Sequence, residues 1–151
     1  MSTAGRAVRF KQALALFAIA LWWGSLTAIG FIVVPMLFAH LATPAVAGTM
    51  AAKLFTAQSW VSIGCALVLL LSTSNRAATP VAPAPAAIFF IVTGLLLALL
   101  GEYAVAPRIV ARENLKLWHA VGSGMYLLQW LCAAALLWRQ ARLQASRQGA
   151  P

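Results

Sequence analysis

Four long apolar stretches fill most of this 151-residue chain, and nearly all of its eleven basic and two acidic side chains sit in the tails and connectors around them. Each stretch offers the roughly 20 apolar residues that an α-helix needs to cross about 30 Å of hydrocarbon. A bilayer tolerates such segments as helices, because a helix pairs its backbone polar groups within itself. Water would not: soluble domains carry roughly 25% charged residues, and this chain has 9% charged against 63% hydrophobic.

The pattern predicts an all-α fold, an integral membrane antiparallel four-helix bundle. Spans are expected at about residues 12–38, 47–71, 84–106 and 115–138, forming one transmembrane domain over 12–138. A basic N-terminal tail (1–11) and a basic C-terminal tail (139–151), read as frayed, flank it. Arg6, Arg9 and Lys11 before the first stretch give it the outline of a signal peptide. Its apolar run, however, continues well past the roughly 7 to 15 residues of a signal core, so it reads as a helix. Pro35 removes a backbone donor near the end of the first span, predicting a kink or stop, and Pro107 is expected to end the third. Residues 72–82 read as a polar, proline-containing connector. Short connectors make successive helices antiparallel neighbours.

Orientation follows from the lysines and arginines, which resist translocation. Arg6, Arg9, Lys11, Arg76, Arg139, Arg142 and Arg147 share the side of the two tails, whereas Lys53, Arg108, Arg112 and Lys116 fall on the other, together with Glu102 and Glu113. Both termini are therefore expected in the cytoplasm, in a bacterial-type inner (plasma) membrane. Tyr103 and Trp118 would sit near the outer interface and Trp138 near the inner one. The net charge of +9 then calls for anionic lipid headgroups as partners. No nucleic acid is expected, because no aromatic-basic stripe lies on a soluble element.

Small residues are expected at helix contacts, where they let backbones approach. Ala20, Gly24 and Ala28 recur every four positions on the first span, and Ala120 and Gly124 repeat that spacing on the fourth. No internal repeat argues for a duplicated half. Polar residues inside the spans align in part: Gln58, Ser62 and Cys65 on the second, and His119, Ser123, Tyr126 and Gln129 or Trp130 on the fourth. Both faces are expected to point inward, either hydrogen-bonding across helices or lining a ligand path.

Three ionisable residues, Lys53, Glu102 and His119, fall at matching depth in the outer half. A charge at mid-membrane costs roughly 2.5 to 3.5 kcal/mol. A Lys53–Glu102 pair, a Glu102–His119 hydrogen bond, snorkelling to the interface, or a proton or ligand site would each account for them. His40 and His119 are weak candidates for haem iron or another metal, lacking the further ligands of a recognised site. Cys65 and Cys132 read as buried thiols. No nucleophile elbow, phosphate loop, zinc-helix motif or paired carboxylate is present, and no cofactor is expected.

The stretch from Trp22 to Phe38 (WWGSLTAIGFIVVPMLF), AGTMAAKLF from Ala47 to Phe55, Pro107, and KLWHAVGSGMYLLQW from Lys116 to Trp130 occur in an order that resembles a known family. It is the uncharacterised four-span family that includes transmembrane protein 205-like proteins. The resemblance runs from about Trp22 to Leu137, and its most telling positions are Gly24, Pro35, Phe38, Gly48, Phe55, Pro107 and His119. It implies a four-span membrane fold and no established reaction. A more distant similarity to four-span copper-resistance and haem-biosynthesis membrane proteins implies a role for membrane histidines, but the family pattern does not require one at His40. Three functions stay open: an accessory or assembly component of the membrane, a subunit of an oligomeric transporter or channel, and a haem or metal-binding redox protein. A homo-oligomer or a membrane-complex partner goes with the first two.

Overall fold

The computed structural model describes residues 3–74 and 85–148, and among them every regular element is helical. Four helices are long and apolar enough to cross a membrane: span 1, Gly5–His40; span 2, Pro44–Ser72; span 3, Pro85–Val110; and span 4, Leu115–Ser146. Most of the expected 72–82 connector, with Arg76, lies outside the described residues. The helix of span 4 continues to Gln148, so the C-terminal tail begins as a continuation of the helix.

The four spans pack in a ring, each against its two neighbours in chain order, with span 4 closing back onto span 1. Buried positions recur at helical spacing: Ala15, Ala18, Ile19, Trp22 and Leu26 on span 1, and Ala51, Gln58, Ser62, Cys65, Ala66 and Leu69 on span 2. Ile91, Gly94, Ala98 and Val105 on span 3, and Gln129, Cys132, Ala133 and Leu136 on span 4, complete the core. Large apolar side chains such as Phe17, Leu71 and Phe89 face outward, 74%, 67% and 64% exposed. An apolar exterior around a partly polar core suits hydrocarbon as the solvent. The protein is an all-α, four-helix membrane bundle.

Neither proline stops its helix, so the expected end of the third span at Pro107 is not found. Span 1 runs through Pro35 to His40, and span 3 through Pro107 to Val110. In each, the helix widens first: Ala28–Val33 and Gly101–Val105 are π-helical turns. The N–H groups of Val34 and Ala106, each directly before a proline, bond back five residues to Ile29 O and Gly101 O. A proline ring in an α-helix collides with the carbonyl four residues back. The wider turn relieves that collision, and the helix resumes instead of stopping. Spans 1 and 3 thus share one device at the same end of the bundle.

The two short connectors are at that end. Residue Leu41 is extended, Thr43 caps span 2 by accepting from Val46 N–H at 3.3 Å, and Pro44 occupies the first helical position. Span 3 ends in a Schellman arrangement: Arg112 N–H bonds Ile109 O at 3.1 Å and Glu113 N–H bonds Arg108 O at 3.0 Å. Arg112 has φ 57°, in the left-handed region that favours glycine. Asn114 then accepts from Leu117 N–H and begins span 4.

Contacts between small residues differ from the expected stripes. Ala20 and Ala120 are exposed, Ala28 is half-buried, and a Cβ built at Gly24 or Gly124 would meet nothing within 4 Å. The close approaches are at Gly30 against Tyr126, Gly94 against Trp22 and Gly122 against Val105. What decides them is the side chain that another span sets against the glycine, which a four-residue spacing within one helix does not reveal.

Candidate functional site

Polar side chains gather in one layer halfway along the bundle. Gln58, Gln129 and Leu26 each lie about fourteen residues, or about 21 Å, from the connector end of their spans. The Gln58 amide Nε2 donates to Ser25 Oγ on span 1 at 3.0 Å and to Ser62 Oγ at 3.2 Å, and Ser25 Oγ donates to Trp22 O at 3.1 Å. Gln58 is 2% exposed, Ser62 0% and Gln129 5%. Nonpolar residues alone would fill the same space without desolvation cost, so this cross-span bonding orients spans 1 and 2 in register.

Span 4 grips span 1 in the same layer. The Tyr126 hydroxyl donates to Leu26 O at 2.8 Å, just before the π-helical turn. Trp130 Nε1 donates to Thr27 Oγ1 at 2.8 Å, and Thr27 Oγ1 donates to Trp23 O at 2.8 Å. The rings of Trp23 and Phe31 lie 6.0 and 5.5 Å from Trp130, and Phe55 of span 2 meets Tyr126 edge-on at 5.3 Å. Gly30 leaves room for the Tyr126 ring, since a Cβ there would come within 2.5 Å of Tyr126 Cε1.

The inward face read on span 4 divides accordingly. Gln129 and Tyr126 turn into the bundle, whereas Ser123 is exposed and stands outside the layer. Ser123 follows His119 at helical spacing, and that line of residues drifts onto the outer surface. Trp130, an alternative on that face, bonds across to span 1, whereas Ser25 and Thr27 carry hydrogen bonds that the polar-residue pattern did not assign. A serine and a threonine two positions apart on an otherwise apolar helix are the available signal, and it is weak, because either hydroxyl can bond its own helix.

The three ionisable residues do not form one cluster. Lys53 and His119 are exposed and Glu102 is half-buried within the π-helical turn of span 3. No ion pair or hydrogen bond joins them among the described residues. Val105, three residues on, packs against Gly122 of span 4. His40 is exposed, with Nδ1 3.0 Å from Met36 O, and lines a shallow apolar cleft with Val33, Met36, Leu37 and Leu41. Among the described residues no three of His, Cys, Asp and Glu come together to hold a metal ion. Aromatic rings mark both ends of the bundle: Arg108 lies 4.5 Å over Trp118, and Arg142 lies 5.1 Å over Trp138.

Residues 17–116 match a family model described as a domain of unknown function (DUF4149). The chain belongs to that family. The matched segment runs from span 1 into the first turn of span 4 and so includes both π-helical turns, Gln58 and Glu102, but not Tyr126 or Gln129. No curated protein and no solved structure matches the chain.

Proposed function

We propose that this DUF4149 protein is an accessory or assembly component of a bacterial-type inner membrane, held in place by anionic lipid headgroups, with both termini in the cytoplasm. The observation that carries this reading is the construction of the core. Trp22 closes the bundle centre against Gly94, and hydrogen bonds of the polar layer tie span 1 to spans 2 and 4. Such a core holds four helices together and presents their apolar flanks to a membrane partner. Basic residues support the orientation: Lys11 and Arg142 are both exposed at the tail end of the bundle, Arg142 over the Trp138 ring, where anionic headgroups would meet them. The finer resemblance to transmembrane protein 205-like proteins belongs to this same reading.

A second reading, a subunit of an oligomeric transporter or channel, has one observation in its favour. Glu102 is a carboxylate inside an apolar span, on a π-helical turn, and both features recur at functional sites in membranes. A haem or metal-binding redox role would rest on His40 and His119.

Purification of the full chain in mild detergent, followed by a visible spectrum, metal analysis, native mass spectrometry and flux assays in liposomes, separates the three. The accessory reading expects a stoichiometric membrane-protein partner, no Soret band and no flux. A Soret band or bound metal would replace it with the redox reading, and flux abolished by Glu102→Gln would replace it with transport.

A further inference from the structure

The mid-bundle layer contains more polar atoms than its own hydrogen bonds use. Among the described residues four buried side-chain atoms have no protein partner, Gln58 Oε1, Gln129 Nε2, Trp22 Nε1 and Trp23 Nε1, and the first three belong to side chains that are themselves buried. These three are 2%, 5% and 0% exposed. Gln58 and Gln129 stand at equal depth on spans 2 and 4, which face each other across the ring, and Trp22 on span 1 is one turn towards the tail end. Lipid offers such groups nothing to bond with, and a buried polar atom left unpaired is strongly disfavoured.

Those three atoms are complementary in kind: one carbonyl acceptor and two N–H donors, contributed by three different spans. Reversing the Gln58 amide does not remove the surplus. Its Oε1 would then accept from the serine hydroxyls and its Nε2 would be left over. The layer contains no charged side chain, since Lys53, Glu102 and His119 all lie nearer the connector end and are exposed or half-buried. An ion would therefore find no compensating charge, whereas a molecule that donates and accepts at once would satisfy both amides.

We propose that the layer between Gln58 and Gln129 is an internal water-binding site at the middle of the membrane. A buried water typically makes about three hydrogen bonds to groups of this kind, and Gln58 Oε1, Gln129 Nε2 and Trp22 Nε1 supply that number and mixture. The site is independent of the accessory role proposed above.

Water-edited solid-state NMR on the full chain in lipid bilayers tests it, with glutamine side chains labelled with nitrogen-15. Polarisation from water is expected to reach the Gln58 and Gln129 amides several-fold faster than the methyls of Ala66 and Ala133, which are both 0% exposed. In Gln129→Leu the transfer to Gln58 should slow to the alanine rate, while the Trp130 indole N–H bonded to Thr27 keeps its resonance and reports an intact fold. Transfer to both amides at the alanine rate in the unsubstituted chain would overturn the proposal. So would a direct amide-to-amide contact between Gln58 and Gln129, which would make the layer dry.

Discussion

The indole of Trp22 crosses the core from span 1 and ends against Gly94 of span 3, where a Cβ would stand 2.6 Å from Trp22 Cη2. These spans are not neighbours in the ring, so the contact fixes its diagonal. Gly94→Ala should overpack this point at a cost of about 1–3 kcal/mol. Trp22→Leu should remove most of that penalty in the double variant, because residues in contact do not contribute additively. Thermal unfolding of the four proteins of this cycle in one detergent measures the coupling.

Tyr126 and Gly30 form the corresponding lock at the π-helical turn of span 1. Tyr126→Phe deletes the bond to Leu26 O and should cost about 0.6 kcal/mol, the average for interhelical hydrogen bonds in membranes. Gly30→Ala should cost more, because the added methyl would meet the Tyr126 ring itself. The order of the two unfolding temperatures is the check.

Gly24→Ala and Gly124→Ala should each change stability by no more than about 0.5 kcal/mol, since neither new Cβ meets an atom within 4 Å. A large loss in a monomeric preparation would show that the small-residue stripes pack after all.

Arg112→Gly should stabilise the protein by up to about 1 kcal/mol, because a left-handed residue with a side chain is strained by about 1–2 kcal/mol and glycine relieves this at φ 57°. Chemical unfolding of wild type and variant side by side gives the sign.

The spans were legible because length and hydropathy decide them locally: a stretch such as Ala84 to Ala106 has few alternatives in any solvent. The continuation through Pro35 and Pro107 was not, since it depends on a widened turn that either proline alone does not announce. Gln58 and Ser62 could be placed inward from spacing on one helix. The exposure of Ser123 and the small-residue contacts at Gly30, Gly94 and Gly122 depend on which residue faces them from another span. Pairing Lys53 with Glu102 rested on depth alone, and equal depth leaves the rotation of each helix undecided.

Cysteine accessibility tests the central claim, a four-span bundle with both tails in the cytoplasm, most directly. The native Cys65 and Cys132 are buried, 6% and 4% exposed, and provide a quiet background. Arg112→Cys, on the exposed connector between spans 3 and 4, and Arg142→Cys, on the exposed tail-end helix, are treated with a membrane-impermeant maleimide added outside the intact membrane. Labelling of Arg112→Cys alone, with Arg142→Cys reacting only after the membrane is opened, is the predicted result. Labelling of Arg142→Cys from outside, with Arg112→Cys protected, would contradict it.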